Sequence, residues 1–364
     1  MKKFWGYSLL IFLCVLLIVN PERSVHFAKE GLSLCTEIIV PSLFPFFVCS
    51  CLLVYSGFCE VLARVLSPVM IPLFNINPTG SAAFVLGLIS GYPQGAVTTG
   101  QLYDGGYLTK SEAERLLAFC NNSGPLFILG TVGISMYHNQ KIGIILYAAH
   151  ILGAITTGIL FRFYKSKNYI SPVTKINTNS KSLSVIFSTA IADSLKNILM
   201  VCGAVLFCSV ISNLFLDILC LNAECEAAIA SFLEFVSGLQ QISYLDIGLC
   251  RKLLLSAAVC AFAGISVHLQ VMGVISTRGL SLKPYIIGKV FHAVFSVVFT
   301  YILLKLFPVS QTVFFHADNG GRIGLAFFVC ATCIMLTATI MVIISLLYWW
   351  IFVNRNSKNN QMHP

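Results

Sequence analysis

Charged residues are scarce along this chain. Only 14 acidic and 23 basic residues occur among its 364, so 10% of the sequence is charged whereas 57% is hydrophobic. A soluble globular domain needs more polar surface than this composition supplies. The composition therefore excludes a soluble fold and predicts a protein that crosses the membrane several times.

The sequence also lacks the motifs of the common enzyme classes. It contains no G-x-S-x-G, no H-E-x-x-H, no P-loop and no cysteine pair in a setting suited to zinc. We therefore expect no catalytic residues, no cofactor and no metal; the alternative is an intramembrane enzyme with sparse motifs. Cysteine is not scarce, but most of the 14 cysteines lie inside apolar runs. Such residues are expected to be reduced and to pack as small hydrophobic side chains.

Apolar runs of about 20 residues, the length of helix that crosses a bilayer, recur along the chain. Since no alternating pattern indicates a barrel, the fold class is an all-α polytopic membrane protein. Two shorter runs, near 80–106 and 227–249, are interrupted by glycine and are predicted to be re-entrant hairpins, which leaves about eight transmembrane spans. The alternative for the second run is a true span. The predicted spans are 4–20, 41–57, 115–136, 141–163, 195–216, 253–275, 285–306 and 324–352.

The positions of the basic residues behind the net charge of +9 reflect the orientation of the chain in the membrane, and the charge does not indicate a nucleic-acid partner. Lysine and arginine concentrate in cytoplasmic loops of membrane proteins. Residues 162–181 contain five basic residues and no acidic one. We place this stretch inside, which also makes both termini cytoplasmic.

The most informative feature is a pair of apolar segments broken by glycine, proline and small polar residues. The first copy reads Gly87-Leu-Ile-Ser-Gly-Tyr-Pro-Gln-Gly95 and then Phe119-Cys-Asn-Asn-Ser-Gly-Pro125. Backbone groups freed by a helix break must be satisfied by protein or by a polar cavity. The breaks therefore predict a binding site; the alternative is a packing kink. The candidate substrate-binding residues of this copy are Ser90, Gly91, Gln94, Asn121, Asn122, Ser123 and Gly124.

A similar design recurs roughly 140 to 150 residues later in the sequence. The hairpin tip is predicted at Ser237–Gln241 and the broken span around Gly264, which adds Ser237, Gly238, Gln241 and Ser266 as candidate binding residues. Glu234 and His268 are candidate coupling residues, because ionisable groups inside a membrane are costly unless they pair or face water. The alternatives are a shallow, interfacial Glu234 and a packing role for His268.

Each copy contains three predicted crossings, so the second copy enters the membrane from the opposite side. The two copies are therefore predicted to form an inverted repeat. We expect an N-terminal span with its flanking segment (1–30), a first repeat (31–164), a cytoplasmic linker (165–182), a second repeat (183–307) and a C-terminal span with a polar tail (308–364).

The first copy carries a family resemblance. Pro41-Ser-Leu-Phe-Pro45, the Gly87–Gly95 run and Cys120-Asn-Asn-Ser-Gly-Pro125 together resemble the sporulation integral membrane proteins of the YlbJ type, which belong with the nucleoside-recognition (Gate) domain proteins. The resemblance covers about residues 30 to 310. The second copy is more divergent, because it lacks the hairpin proline and the Asn-Asn-Ser-Gly-Pro run.

This resemblance implies a role in spore development, in the membrane around the forespore. It implies movement of dipicolinate from the mother cell toward the spore, with hairpin tips and broken helices of two inverted repeats surrounding the substrate. We therefore expect a transporter or permease for a small anionic metabolite, with the lipid bilayer as its surroundings and a coupling cation or proton left open. The alternatives are a nucleoside permease and a non-transporting membrane scaffold. Nothing in the sequence indicates an oligomeric state.

Overall fold

The computed structural model describes residues 2–165, 182–219 and 221–309, and this part of the chain is helical with no strand. Several helices start where the sequence offers a side-chain cap. Thr109 and Glu112 form a capping box before the seventh helix, and Asn139 and Asn222 cap later ones through their side-chain oxygens. In chain order the α-helices are α1 (Lys2–Val19), α2 (Pro21–Leu34), α3 (Val40–Tyr55), α4 (Phe58–Val69), α5 (Ser81–Ser90), α6 (Gln94–Asp104), α7 (Lys110–Cys120), α8 (Gln140–Phe161), α9 (Leu183–Leu219), α10 (Ala223–Leu233), α11 (Phe235–Tyr244), α12 (Leu249–Phe262), α13 (Gly264–Ile275) and α14 (Lys283–Leu306).

Shorter helical pieces join several of these helices. Cys35–Ile39, Met70–Phe74 and Leu126–Met136 are π-helical, and Pro78–Gly80 and Ser276–Arg278 are 3₁₀ turns. The first π-helical piece makes residues 21–55 almost one continuous helix. The third replaces a regular helix just after the break that begins at Asn121. π-helical geometry is often found at functional sites.

The helices are apolar enough for a membrane protein. Four in the described residues have the length and composition to cross a bilayer, or up to six if two pairs bent by 100° and 101° each form one span. Large apolar side chains such as Leu199, Phe207 and Val294 are exposed on the outside of the helices. An exterior of this kind is suited to lipid. The integral membrane class is therefore supported by both the lengths and the surfaces of the helices.

Most of the predicted apolar segments coincide with helices, but the region after the second predicted segment does not match. Residues 58–74 form α4 and a π-helical piece, although the sequence predicts no segment there. Glu60, Arg64 and two prolines interrupt the apolar pattern of this stretch, which explains the omission. The predicted linker at 166–181 and the predicted span at 324–352 lie outside the described residues.

The core joins the first half of the chain (residues 31–164) to the second half (183–307). Helix α8 packs along α14, and α3 packs along α9. Helix α7 is wrapped by α5, α6, α8 and α14, and all its residues after Lys110 are buried. Phe74, Phe84 and Phe119 form an aromatic cluster with ring centroids 4.7–5.7 Å apart. The ten described cysteines are free thiols.

Three buried charges lie on α7: Glu112 of the capping box, Glu114 and Arg115. Glu114 accepts hydrogen bonds from Lys165 Nζ at 2.7 Å and from the Ser281 amide at 3.1 Å. Arg115 Nη1 donates to the carbonyl oxygens of Tyr164 at 2.9 Å and Lys165 at 3.2 Å. The hydrogen bond that Lys165 donates to Glu114 raises the pKa of the Lys165 ammonium. Arg115, at the start of the predicted span 115–136, is therefore a buried residue that holds the residues following α8.

The hairpin of α5 and α6 packs on α7 through glycine. A Cβ atom on Gly87 would lie 1.8 Å from the Cys120 carbonyl oxygen, and one on Gly95 would lie 2.1 Å from the same atom. No side chain fits at either position without moving backbone. These two glycines therefore bring the hairpin into backbone contact with the end of α7.

Gly87→Ala is expected to destabilise the protein by about 1–3 kcal/mol, because the new methyl group overpacks the contact with Cys120. The matched control is Gly203→Ala in α9, where nothing lies within 4 Å of the new Cβ; this change is expected to be neutral or stabilising by up to about 1 kcal/mol. Unfolding of the two purified variants in detergent, measured against the unsubstituted chain, is the test. Equal stability of Gly87→Ala and the original chain would contradict the described helix contact.

Candidate functional site

The predicted breaks of the first half lie against each other. Helix α5 ends at Ser90 and α6 begins at Gln94, so residues 91–93 form a connection that we call the first tip. Residues 121–124, the first break, separate α7 from the π-helical segment Leu126–Met136. Gly91 has φ of 83°, and a Cβ there would lie 2.9 Å from the Gly124 nitrogen. Glycine is needed at the tip for both its backbone angle and this close approach.

The polar residues predicted for the first half are all buried: Ser90, Gln94, Asn121, Asn122 and Ser123. Their hydrogen bonds mostly stabilise the tip and the break. Ser90 bonds to Ser50 in α3, the Asn121 oxygen accepts from the Ala96 amide at 3.4 Å, and Asn122 donates to the Phe119 carbonyl at 2.9 Å. The side-chain oxygens of Gln94 and Asn122 are buried without a hydrogen-bond partner. The structure thus brings the predicted residues together and leaves acceptors available.

The second hairpin breaks three residues earlier than the sequence predicts. Helix α10 ends at Leu233 and α11 begins at Phe235, so the second tip is Glu234 alone. The fully buried Glu234 carboxylate accepts hydrogen bonds from the Val236 amide at 3.1 Å and from the Ser237 amide at 2.7 Å. A side-chain cap thus replaces the glycine turn that the sequence predicts. The Glu234 side chain is enclosed by protein and is in contact with neither lipid nor bulk water.

Ser237, Gly238 and Gln241 therefore lie within α11 and not at a tip. Ser237 bonds to the Glu234 carboxylate at 2.9 Å. Gly238 serves helix packing, since a Cβ there would lie 2.2 Å from the Cα of Ser231 in α10. Gln241 is half-buried one turn further on. The correction removes these three residues from the tip and leaves Glu234 in their place.

The second broken span is interrupted as predicted, at Ala263 and Gly264, which have φ of 74° and 67°. We call these two residues the second break. Ser266 is buried, and its hydroxyl has no hydrogen-bond partner. His268 Nδ1 is 2.6 Å from the Gly264 carbonyl oxygen, and its ring lies between the rings of Phe262 and Tyr285. These contacts favour a packing role for His268.

A small cavity lies where the two halves meet. Its volume is about 40 Å³, room for a few water molecules. Of the predicted binding residues, Ser123 and Gly124 line it, whereas Gln94, Asn121, Asn122 and Ser266 do not. The lining residues come from the first tip and break, the start of α11, and helices α3, α9 and α13 with the adjoining π-helical pieces, namely Ile39, Leu43, Tyr92, Ser123, Gly124, Phe127, Val201, Val205, Phe235, Val236, Val267 and Gln270.

The first tip touches the start of α11 at this cavity. The rings of Tyr92 and Phe235 meet edge to face with centroids 6.0 Å apart. The Tyr92 hydroxyl donates to the Cys260 carbonyl at 3.0 Å, and the Ser123 hydroxyl donates to the same oxygen at 3.4 Å. Cys260 lies in the last turn of α12, just before the second break. The first half is therefore hydrogen-bonded to the second half beside both breaks.

Lys289 is a residue of the site that the sequence analysis missed. It lies on α14, is 1% exposed, and its ammonium donates to the Tyr92 hydroxyl at 2.9 Å and to the Asn121 carbonyl at 2.9 Å. It is the only charged residue between positions 284 and 304. The same rule that singled out Glu234, an ionisable group within an apolar segment, identifies it.

A curated relative supplies the family. The chain is 30% identical over 333 aligned residues to the sporulation integral membrane protein YlbJ of Bacillus subtilis (strain 168), with 82% of each chain covered. This chain belongs to the YlbJ-type family of sporulation integral membrane proteins. No family model matches it, and no solved structure matches it. The family membership agrees with the membrane-suited helices and leaves the activity to be argued from the site.

Two histidines of this YlbJ-type chain connect Lys289 to the first break. The rings of His150 and His292 have centroids 4.5 Å apart. His292 Nε2 donates to the His150 carbonyl at 2.9 Å, and its Nδ1 accepts from Lys289 at 3.3 Å. His150 Nε2 accepts from the Ser123 amide at 3.1 Å. Each ring thus has one accepting nitrogen, as neutral imidazole requires, and no group of three or more possible metal ligands occurs in the described residues.

Glu234→Ala is expected to destabilise the protein by about 1–2 kcal/mol, because it leaves two amides at the start of α11 without an acceptor. Glu234→Gln is expected to lose less, since its amide oxygen still accepts one of those bonds. The measurement is the unfolding of both variants in detergent. If alanine and glutamine had the same effect, Glu234 would not act as the cap of α11.

Proposed function

We propose that this YlbJ-type protein is a transporter for a small anionic metabolite, with dipicolinate as the substrate, moved from the mother cell toward the forespore. The observation that carries the proposal is the meeting of the first tip, the first break and the start of α11 at one cavity between the halves. Transport sites are commonly built from interrupted helices at the interface of two structural repeats. The membership in a sporulation family agrees with this biological setting.

An inverted repeat is part of the same proposal, with repeats at 31–164 and 183–307 and a cytoplasmic linker between them. Helices that occupy equivalent places in the two halves pack on each other: α3 on α9, and α8 on α14. His150 and His292, which share a register in the two halves, are in ring contact. Equivalent positions meet where a two-fold axis passes between two units. This pairing supports a pseudo-two-fold arrangement around the cavity.

The size of the cavity supports alternating access. About 40 Å³ does not accommodate an aromatic dicarboxylate, so the walls must separate before the substrate enters. The wall contacts that join the halves include the ring contacts of Phe235 with Tyr92 and Phe127 and the bonds of Tyr92 and Ser123 to Cys260. Each such hydrogen bond contributes about 0.5–1.5 kcal/mol. Rocking of one half against the other would open the site by breaking these contacts.

The binding groups would come mainly from the first half. Ser90, Gln94, Asn121, Asn122 and Ser123 carry buried hydroxyl and amide groups that an opened site would present to a carboxylate or ring nitrogen. From the second half, Gln270 lines the cavity and its side-chain oxygen has no partner. Gln270 is therefore included among the proposed binding residues, and Ser237 and Gln241 are no longer included. The proposed location is the membrane around the forespore. Both chain termini are placed in the cytoplasm, and the basic stretch 162–181 supports this orientation.

The purified full chain in lipid vesicles is expected to move dipicolinate faster than protein-free vesicles do, in the presence or absence of an ion gradient. Measuring this flux under both conditions also identifies any coupling ion. An excess of nucleoside is expected to leave the flux unchanged, whereas unlabelled dipicolinate competes. No flux under either condition would reject the proposed transporter, and competition by nucleosides alone would favour the nucleoside permease.

A double variant, Gln94→Ala with Asn121→Ala, distinguishes a transporter from a membrane scaffold. It is expected to reduce dipicolinate accumulation in spores about fivefold or more, since loss of two buried polar contacts costs about 1–3 kcal/mol, while the level of protein in the membrane stays normal. The control is Gln240→Ala, which changes an exposed glutamine of α11. Normal spores from the double variant would instead support the scaffold.

A further inference from the structure

The most unusual buried group in the structure is the Lys289 ammonium. Its three hydrogens meet three acceptors: the Tyr92 hydroxyl, the Asn121 carbonyl oxygen and His292 Nδ1. The first belongs to the first tip, the second to the first break, and the third to its own helix. The hydrogen-bonding capacity of the lysine is therefore filled, and the side chain is fixed in one position.

The positive charge itself is not balanced. All three acceptors of Lys289 are formally neutral, and none of the ion pairs in the described residues includes it. The other fully buried charge near the cavity, Glu234, directs both of its oxygens to the start of α11. Burying a cation without an anion is costly. Such a group in a membrane protein is a functional hypothesis by default.

The charge lies directly behind the wall of the cavity. Tyr92 lines the cavity, and Lys289 Nζ is 4.9 Å from the centroid of its ring and 2.9 Å from its hydroxyl. Only one side chain therefore separates the ammonium from the space where a substrate would bind. In surroundings of low polarity a charge acts strongly over such distances. An anion in the cavity would be stabilised, and a neutral molecule of the same shape would not.

We propose that Lys289 determines the charge selectivity of the site, by supplying from behind Tyr92 the positive charge that balances a substrate carboxylate. This inference rests on the proposed transport function. Lys289 is a positioning residue, because it holds Tyr92 and the first break while its charge acts across the cavity wall. It also gives a physical reason for an anionic substrate in place of a nucleoside.

The test uses the full chain in lipid vesicles and two probes of similar shape, pyridine-2,6-dicarboxylate and its neutral diamide. Lys289→Met removes the charge and keeps the length of the side chain, whereas Lys289→Arg keeps the charge. Lys305→Met is the matched control, since it makes the same change on the exposed end of α14. Flux of the dicarboxylate and its inhibition by the diamide are measured for each variant, and unfolding in detergent reports on the fold.

Lys289→Met is expected to reduce dicarboxylate flux about tenfold or more while inhibition by the diamide is retained, so that the preference for the anion is lost. Lys289→Arg is expected to retain the preference, and Lys305→Met to match the unsubstituted chain. A purely structural role would lower the response to both probes equally, and that result would overturn the inference. So would an unchanged preference in Lys289→Met.

The unsubstituted chain provides a test that needs no variant. Its flux of labelled dicarboxylate is expected to be inhibited at least tenfold more strongly by unlabelled dicarboxylate than by the diamide. Equal inhibition by the two compounds overturns the role of Lys289 even if the variants do not fold. Failure of the proposed function gives a different result, because the unsubstituted chain would then show no flux of the dicarboxylate. Flux of the dicarboxylate without charge preference rejects the selectivity role alone.

Discussion

The structure around the cavity depends on one constraint: every backbone group released by a helix break inside the membrane must find a partner within the protein. The breaks meet this requirement with side chains from distant parts of the sequence. His150 accepts from the Ser123 amide, Lys289 donates to the Asn121 carbonyl, and Tyr92 donates to the Cys260 carbonyl. The polar residues of the site thus stabilise the helix breaks independently of any role in binding. Their burial and their arrangement around one cavity follow from this structural role.

The two halves meet the constraint in different ways. The second tip is self-contained, since Glu234 caps the helix that follows it. The first break depends on the other half, because its Asn121 carbonyl accepts from Lys289 of α14 and the Ser123 hydroxyl donates to Cys260 of α12. Relative movement of the halves therefore disturbs the first break and leaves the second tip intact. The more polar half is also the half whose bonds must change when the cavity opens.

The sequence was sufficient to predict features that arise from local chemistry. Gly91 and the run from Asn121 interrupt apolar segments with residues that helices disfavour, and both interruptions are present. The second tip was misplaced because glycine at Gly238 has two uses that sequence does not distinguish, a turn and a close helix contact, and here it makes the contact. The Cys260 carbonyl was not predictable as a shared acceptor, since every residue has a backbone oxygen and the sequence does not distinguish one from another. Contacts between distant segments, and so the cavity itself, required the fold.

Lys289 connects this constraint to the proposed transport cycle. When the site closes without substrate, an ammonium is buried among neutral acceptors, and the cost of its desolvation is not offset by an opposite charge. When the site closes around an anion, the same burial is accompanied by charge pairing across Tyr92. A ligand shifts a conformational equilibrium by the difference in its interaction with the two states. In the proposed cycle, a closed site with a cation behind its wall therefore favours closure around the anionic substrate over closure while empty. The residue that holds the first break together would then also couple substrate charge to the movement of the halves.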